Sequence, residues 1–254
     1  MQHRLIKSGR WSDVFFIHDC DMGARARKYL HYATKDQAYR EWRCASDAWN
    51  CGLPVPEPLN ICYCSETKRF YIDYRYLLFR EFEYKDLENF VDNVIYLANQ
   101  IESLDWNGLD RIRWWEIYFS DLMIAFDYCI NMAGLCKKDQ IFLSYSRECL
   151  NNLKYSNFIH GDFAIQNMGI LGDKIFIYDL QWGGAGPKSW DKGYFFSQHP
   201  PRFAEKFFDR NKEIPLISVS CAAIKVGRCI IGNRNLGNIK TRLHEWIEIA
   251  RDRL

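Results

Sequence analysis

The chain has 254 residues, long enough for one large domain or two lobes with a substantial core. Apolar residues make up 48%, charged residues 26% and the net charge is +2, which excludes a disordered chain and gives no global field for nucleic acid. The 10 cysteines are scattered without a CxxC pair, so zinc spacing is excluded. With no apolar leader after Met1-Gln2-His3-Arg4-Leu5, they predict free thiols in a reducing cytoplasm.

In chain order, residues 4–30 read as strands. Trp11–Ile17 follows a turn at Ser8-Gly9-Arg10, and Ala24–Leu30, which carries Lys28, follows a turn at residues 20–23. Only Gly9 occupies the first turn, where Ser8 and Ser12 are small enough to let backbone amides approach an anion. Thr34-Lys35-Asp36-Gln37 has capping-box spacing and opens a helix to about Asn50. Gly52 closes that helix, and Pro54, Pro56 and Pro58 prevent its continuation. Ala38, Trp42, Ala45 and Trp49 form its expected inner stripe. Glu41 lies at the edge of the stripe, placed to meet a cation on the neighbouring strand, for which Lys28 is the candidate.

Residues 59–83 predict a hairpin, with Tyr76–Phe82 as a buried strand leaving at an acidic turn. From Leu87 the pattern is helical. Trp115, Phe119, Leu122, Phe126, Cys129, Ile130 and Ala133 fit one face of a helix ending at Gly134, and Ile141–Asn152 fits another. Gly183–Pro187 reads as a loop. Most of residues 203–254 are helical in pattern, with Leu243, Trp246, Ile247 and Ala250 on one face. The apolar windows 117–136 and 216–232 contain Asp121 and Asp127, or Lys225 and Arg228, so neither reads as a membrane span.

The stretch that carries chemistry is Ile159–Asp179, IHGDFAIQNMGILGDKIFIYD. Two strand-like runs flank a Gly172-Asp173 turn, the signal for a hairpin. Pairing outward from that turn brings Asn167 and Asp179 together, with Asp162 on the loop leading in. A carboxylate able to activate a hydroxyl, next to hard oxygen ligands for magnesium, is what phosphoryl transfer requires.

The order of Lys28, Glu41, GLPVPEPL at 52–59, HGDFAIQN at 160–167 and YDLQWGGAGPKSWDKGYFF at 178–196 resembles the aminoglycoside phosphotransferase and choline kinase branch of the protein-kinase-like superfamily. The resemblance implies an α+β, two-lobed fold: an antiparallel-sheet nucleotide-binding lobe over residues 1–83, and a mainly helical catalytic and acceptor-binding lobe over 84–254. It implies Asp162 as catalytic base, His160 as orienter of its loop, and Asn167 and Asp179 as magnesium ligands. Lys28, held by Glu41, would contact the ATP phosphates with Ser12 nearby, and Glu81, Phe82 and Glu83 would form the adenine hinge. Asp191 would brace the catalytic loop. Gln181 and Trp182 stand where protein kinases have Phe-Gly, which points to a small-molecule kinase.

The expected partners are therefore ATP, magnesium and a hydroxyl-bearing acceptor. Asp105, Asp110, Glu116, Asp121 and Asp127 would suit a polycationic acceptor. The basic set Lys225, Arg228, Arg234, Lys240, Arg242, Arg251 and Arg253 would suit a phosphorylated lipopolysaccharide-core or other glycan acceptor at an anionic membrane surface. A pseudokinase scaffold is the reading from another class, favoured by the glycine-poor first turn.

Overall fold

The chain opens with three antiparallel strands, β1 (Gln2–Ser8), β2 (Ser12–Asp19) and β3 (Gly23–Leu30). The structure, a computed structural model, describes residues 2–19, 23–104, 114–154 and 156–253. β4 (Pro58–Cys64) and β5 (Arg69–Arg75) complete a sheet of order β1-β2-β3-β5-β4. Helix α1 (Lys35–Asn50) starts at Thr34, whose hydroxyl accepts from Gln37 N–H while the Gln37 side chain accepts from Thr34 N–H, the reciprocal cap that the sequence predicts. Leu30, Ala38 and Ile72 are the buried centre of this part, with Trp42, Ile61, Phe70 and Tyr74 packed against them.

The inner face of α1 holds Ala38, Ala45 and Trp42 of the expected stripe but not Trp49. Ala38, Glu41, Ala45 and Ala48 are buried, whereas Trp49 is 40% exposed. Small side chains let the helix lie close to the sheet, and the large indole is left at the rim.

The expected strand over Tyr76–Phe82 is also corrected. The strand ends at Arg75, residues 76–79 have no regular structure, and Leu78 is 78% exposed. Only β6 (Arg80–Glu81) pairs again, and it does so with the hairpin β8 (Met168–Leu171) and β9 (Lys174–Ile177). Phe79 explains the detour. Its ring stacks on Tyr178 with centroids 5.5 Å apart, and it fills the space that a Cβ at Gly169 would need. By contacts the hairpin segment Gln166–Gly183 forms one compact unit with the described part of residues 1–83, although it lies within the sequence segment 84–254.

The second unit is mainly helical: α2 (Leu87–Glu102), α3 (Trp114–Met132), α4 (Lys137–Asn151), α5 (Trp190–Phe196), α6 (Glu213–Ile231) and α7 (Gly237–Arg251). Gly183–Pro187 is not a plain loop, because Gly184–Gly186 forms β10, antiparallel to β7 (Asn157–Ile159). Helix α6 is the core of this unit. It is long and apolar enough to cross a membrane despite Lys225 and Arg228, but 72% of its apolar window is buried inside the protein. Gly227 lets α6 approach the α3 backbone at Ala125, and Gly193 lets α5 approach Ile217 of α6. Leu243, Trp246, Ile247 and Ala250 are buried along one face of α7, as their spacing predicts. The nine described cysteines are free thiols.

Candidate active site

In the first unit the site is built around one ammonium. Lys28 sits opposite Ile72 in the sheet and is 6% exposed. Its Nζ donates to Glu41 Oε1 at 2.6 Å and to Asp179 Oδ1 at 2.7 Å. Burial works against the charge on Lys28, but Asp179 and Glu41 together hold its pKa above the ordinary lysine value. Glu41 is 2% exposed, and burial pushes its carboxyl up against the pull of Lys28. The Tyr74 phenol is raised by burial and by the charges of Glu41 and Asp179, so it stays a neutral donor, and it hydrogen-bonds Glu41. Sequence reasoning missed Tyr74. The signal was available in the hairpin register, since Tyr74 pairs with Ala26 and lies two residues from Ile72, the partner of Lys28.

The hairpin supplies the other side of this cluster. Met168 pairs with Ile177, and Tyr178 N–H donates to Asn167 O at 3.0 Å. Asn167 therefore lies opposite Tyr178, and Asp179 is one residue beyond. Asp179 has φ 69° and ψ 56°, a left-handed conformation uncommon for a residue with a side chain. Strain of this kind persists where surrounding contacts over-determine it. Here the β9 strand enters on one side of Asp179 and a 3₁₀ turn at Leu180–Trp182 leaves on the other.

A cavity of about 400 Å³ in this unit is lined by Lys28, Asn167, Asp179 and Glu81 among its polar groups. Val14, Ala26, Val55, Leu77 and Ile177 give it an apolar wall. Ser12 lines it, with Gly9, Arg10 and Trp11 of the first turn. Phe82 and Glu83 do not. Phe82 N–H donates to Met168 O at 3.3 Å, so the hairpin already uses that backbone group. Tyr76, Leu77 and Phe79 line the cavity in their place. Asn167 and Asp179 together offer an amide oxygen and a carboxylate, a donor set suited to a hard cation that also takes phosphate oxygens. Among the described residues no group of three or more His, Cys, Asp or Glu forms an all-protein metal cage.

The second unit holds Asp162 and its surroundings. Asp191, at the start of α5, is fully buried and accepts from His160 N–H at 2.7 Å and Gly161 N–H at 3.0 Å. Burial outweighs these two bonds and pushes its carboxyl up to about 7. Gly161 has φ 82°, so this tight loop needs glycine there. Asp162 N–H donates to His160 Nδ1 at 3.3 Å, which places the proton of a neutral imidazole on Nε2. Three residues beyond Asp191 on the same helix, Tyr194 donates its hydroxyl to Asp162 Oδ1 at 2.7 Å. The base of α5 is tied down by buried Lys192, which donates to Glu102 Oε2 at 2.8 Å and Asn99 Oδ1 at 2.9 Å.

The remaining charges divide. Asp105 and Asp110 and the side chain of Glu116 lie outside the described residues; Asp121 is exposed, and Asp127 pairs with Arg147 at 2.7 Å. In the basic set, Arg242 pairs with Glu245, Arg251 with Asp139 at 2.5 Å and Arg253 with Asp209 at 3.4 Å. Lys225 instead lies over the Tyr194 ring, 4.5 Å from its centroid.

No protein-family model matches the chain, and no curated protein matches it by sequence. Solved structures do. A thermostable mutant of aminoglycoside phosphotransferase APH(4)-Ia in its apo form superposes with a TM-score of 0.67 at 14% identity, covering 99% of this chain and 94% of that one. Amicoumacin kinase hAmiN, in complex with AMP-PNP, Ca²⁺ and Ami, gives 0.67 at 12% identity over 99% and 88%. A choline/ethanolamine kinase family protein from Mesorhizobium loti gives 0.64 at 12% identity over 98% and 87%. The chain has the α+β, protein-kinase-like fold shared by aminoglycoside phosphotransferases and choline/ethanolamine kinase family proteins.

Proposed function

We propose that the protein is an ATP-dependent phosphotransferase that moves the γ-phosphoryl group to a hydroxyl of a small-molecule or sugar acceptor. The observation that carries this reading is the convergence of Lys28, Asn167 and Asp179 on one cavity with an apolar wall. The solved neighbours add support: structures of this fold include complexes with AMP-PNP, and with ADP and hygromycin B.

In this mechanism adenine packs on Val14, Ala26, Val55 and Ile177, and the non-regular segment 76–79 together with Glu81 serves as the hinge, in place of Phe82 and Glu83. Lys28, positioned by Glu41, contacts the phosphates. Asn167 and Asp179 would hold magnesium, which when bound neutralises charge developing on the transferred group. With Asp179 engaged by a bound cation, Lys28 would remain held by Glu41. Asp162 takes the proton of the acceptor hydroxyl, held by Tyr194 so that an oxygen faces the incoming group. His160 and Asp191 fix the loop and move no proton.

The test is purified protein with ATP and magnesium. A thermal shift with ATP that requires the metal, together with radiolabelled phosphate transfer abolished in Asp162→Asn, is the expected result. Nucleotide binding with no magnesium dependence would reject this reading in favour of a kinase-shaped scaffold.

A further inference from the structure

Lys225 and Arg228 lie three residues apart on α6, so they are neighbours on one helical face. The Tyr194 phenol connects them to Asp162: its hydroxyl is bonded to the carboxylate, and Lys225 covers its ring. The charges of Asp162 and Arg228 both reach Tyr194, and those of Asp162, Cys221 and Arg228 reach Lys225. Among the described contacts of Lys225 there is no carboxylate within salt-bridge distance; the aromatic face is its partner. His199 adds a second observation. It is 3% exposed, neither ring nitrogen has a hydrogen-bond partner, and the charges of Lys225 and Arg242 act on it. A half-buried ammonium with no carboxylate in salt-bridge contact, near an unpartnered buried imidazole, is a costly arrangement unless an anion completes it.

We infer that the acceptor presented to Asp162 carries an anionic substituent, a phosphate or a carboxylate, held by Lys225 and Arg228. This rests on the phosphotransferase reading and narrows it, setting polycationic aminoglycosides aside as the natural acceptor class. Arg228 is exposed and supplies planar donors for the anion, while Lys225, deeper on the same face, supplies charge. Burial pulls the Lys225 ammonium down to about 8, so it is still a cation at neutral pH.

The probe is pyridoxal 5′-phosphate followed by borohydride reduction, with modified lysines mapped by peptide mass spectrometry at constant ionic strength. Its aldehyde condenses with the Lys225 amine, releasing water, and borohydride reduces the imine to a stable amine. Expected is modification of Lys225 that inorganic phosphate or gluconate suppresses and equal glucose or hygromycin B does not; comparison of the two anions tells phosphate from carboxylate recognition. Arg228→Gln should raise the half-protecting anion concentration roughly tenfold, the loss of one charge-assisted contact. Lys225 left unmodified, or protected as well by glucose as by the anions, would overturn the inference. A thermal shift with ATP and magnesium is read on the same samples. If it is lost while anion protection persists, the nucleotide reading fails and the anion site stands; the opposite pattern removes the anion site alone.

Discussion

Tyr194 donates its hydroxyl to Asp162 at 2.7 Å, so the carboxylate nominated as base is already oriented by the helix that follows the hairpin. Asp162→Asn should keep ATP binding and lower transfer by about 10²–10⁴-fold, the usual worth of a general base. Tyr194→Phe should lower kcat by a smaller factor and leave the KM for ATP unchanged. Steady-state kinetics on one acceptor checks both.

The Lys28–Glu41 pair is buried, and removing one partner leaves an uncompensated charge. Lys28→Met should destabilise the protein by about 3–5 kcal/mol, and adding Glu41→Gln should recover part of that loss. Urea unfolding of the two singles and the double separates stability from any effect on nucleotide binding.

Asp191 gives a pH dependence whose sign follows from its raised carboxyl. A folded-state value of about 7, above the ordinary carboxylate value, means its contribution is complete at low pH and is lost as pH rises through about 7. Asp191→Asn removes this titration and weakens acceptance from His160 and Gly161 N–H. The variant should be less stable than wild type, with a gap that narrows as pH rises toward 7. Thermal melts across that range test it.

Lys225 is shifted the other way, downward by burial, yet its effect is likewise lost as pH rises. The groups facing it are Asp162 from the loop, Tyr194 from α5, His199 from the segment after α5, and Cys221 and Arg228 from α6 itself. Its ammonium deprotonates as pH passes about 8, so the KM for an anionic acceptor should rise there. Lys225→Arg should hold that KM flat, since guanidinium does not titrate in this range.

Gly227→Ala tests the packing of α6 on α3. An added Cβ would overlap the Ala125 carbonyl, and backbone cannot yield as a side-chain tip can. Destabilisation by about 1–3 kcal/mol or more is expected, visible as a lower denaturation midpoint.

Much of this site can be read from residue types and spacing. The capping box at Thr34 and the Gly172 turn are local signals, and they place α1 and the β8–β9 hairpin within a residue or two of the observed bounds. Lys28, Glu41 and Asp179 are named by their order along the chain, and the structure brings the three within hydrogen-bond reach. What stayed hidden depends on tertiary packing. Residues 76–82 are apolar enough for a strand, but Phe79 leaves the sheet to stack on Tyr178, a contact across about a hundred residues that no local pattern encodes. Tyr194 lies within the 178–196 motif, but its spacing assigns it no partner; its bond to Asp162 appears only when α5 meets the Asp162 loop. Lys225 and Arg228 were lost in a run of basic residues, several of which turn out to be paired.

The return of Gln166–Gly183 to the unit formed by the first residues has a consequence for how the molecule can be divided. Neither unit is a continuous length of polypeptide, so no single cut yields an independent half. A fragment ending at Glu83 would have β6 without its partner β8, and Lys28 without Asp179. On the ribosome, Lys28 and Glu41 emerge well before the residue that completes their cluster, so this unit can close only after more than half of the chain has been made.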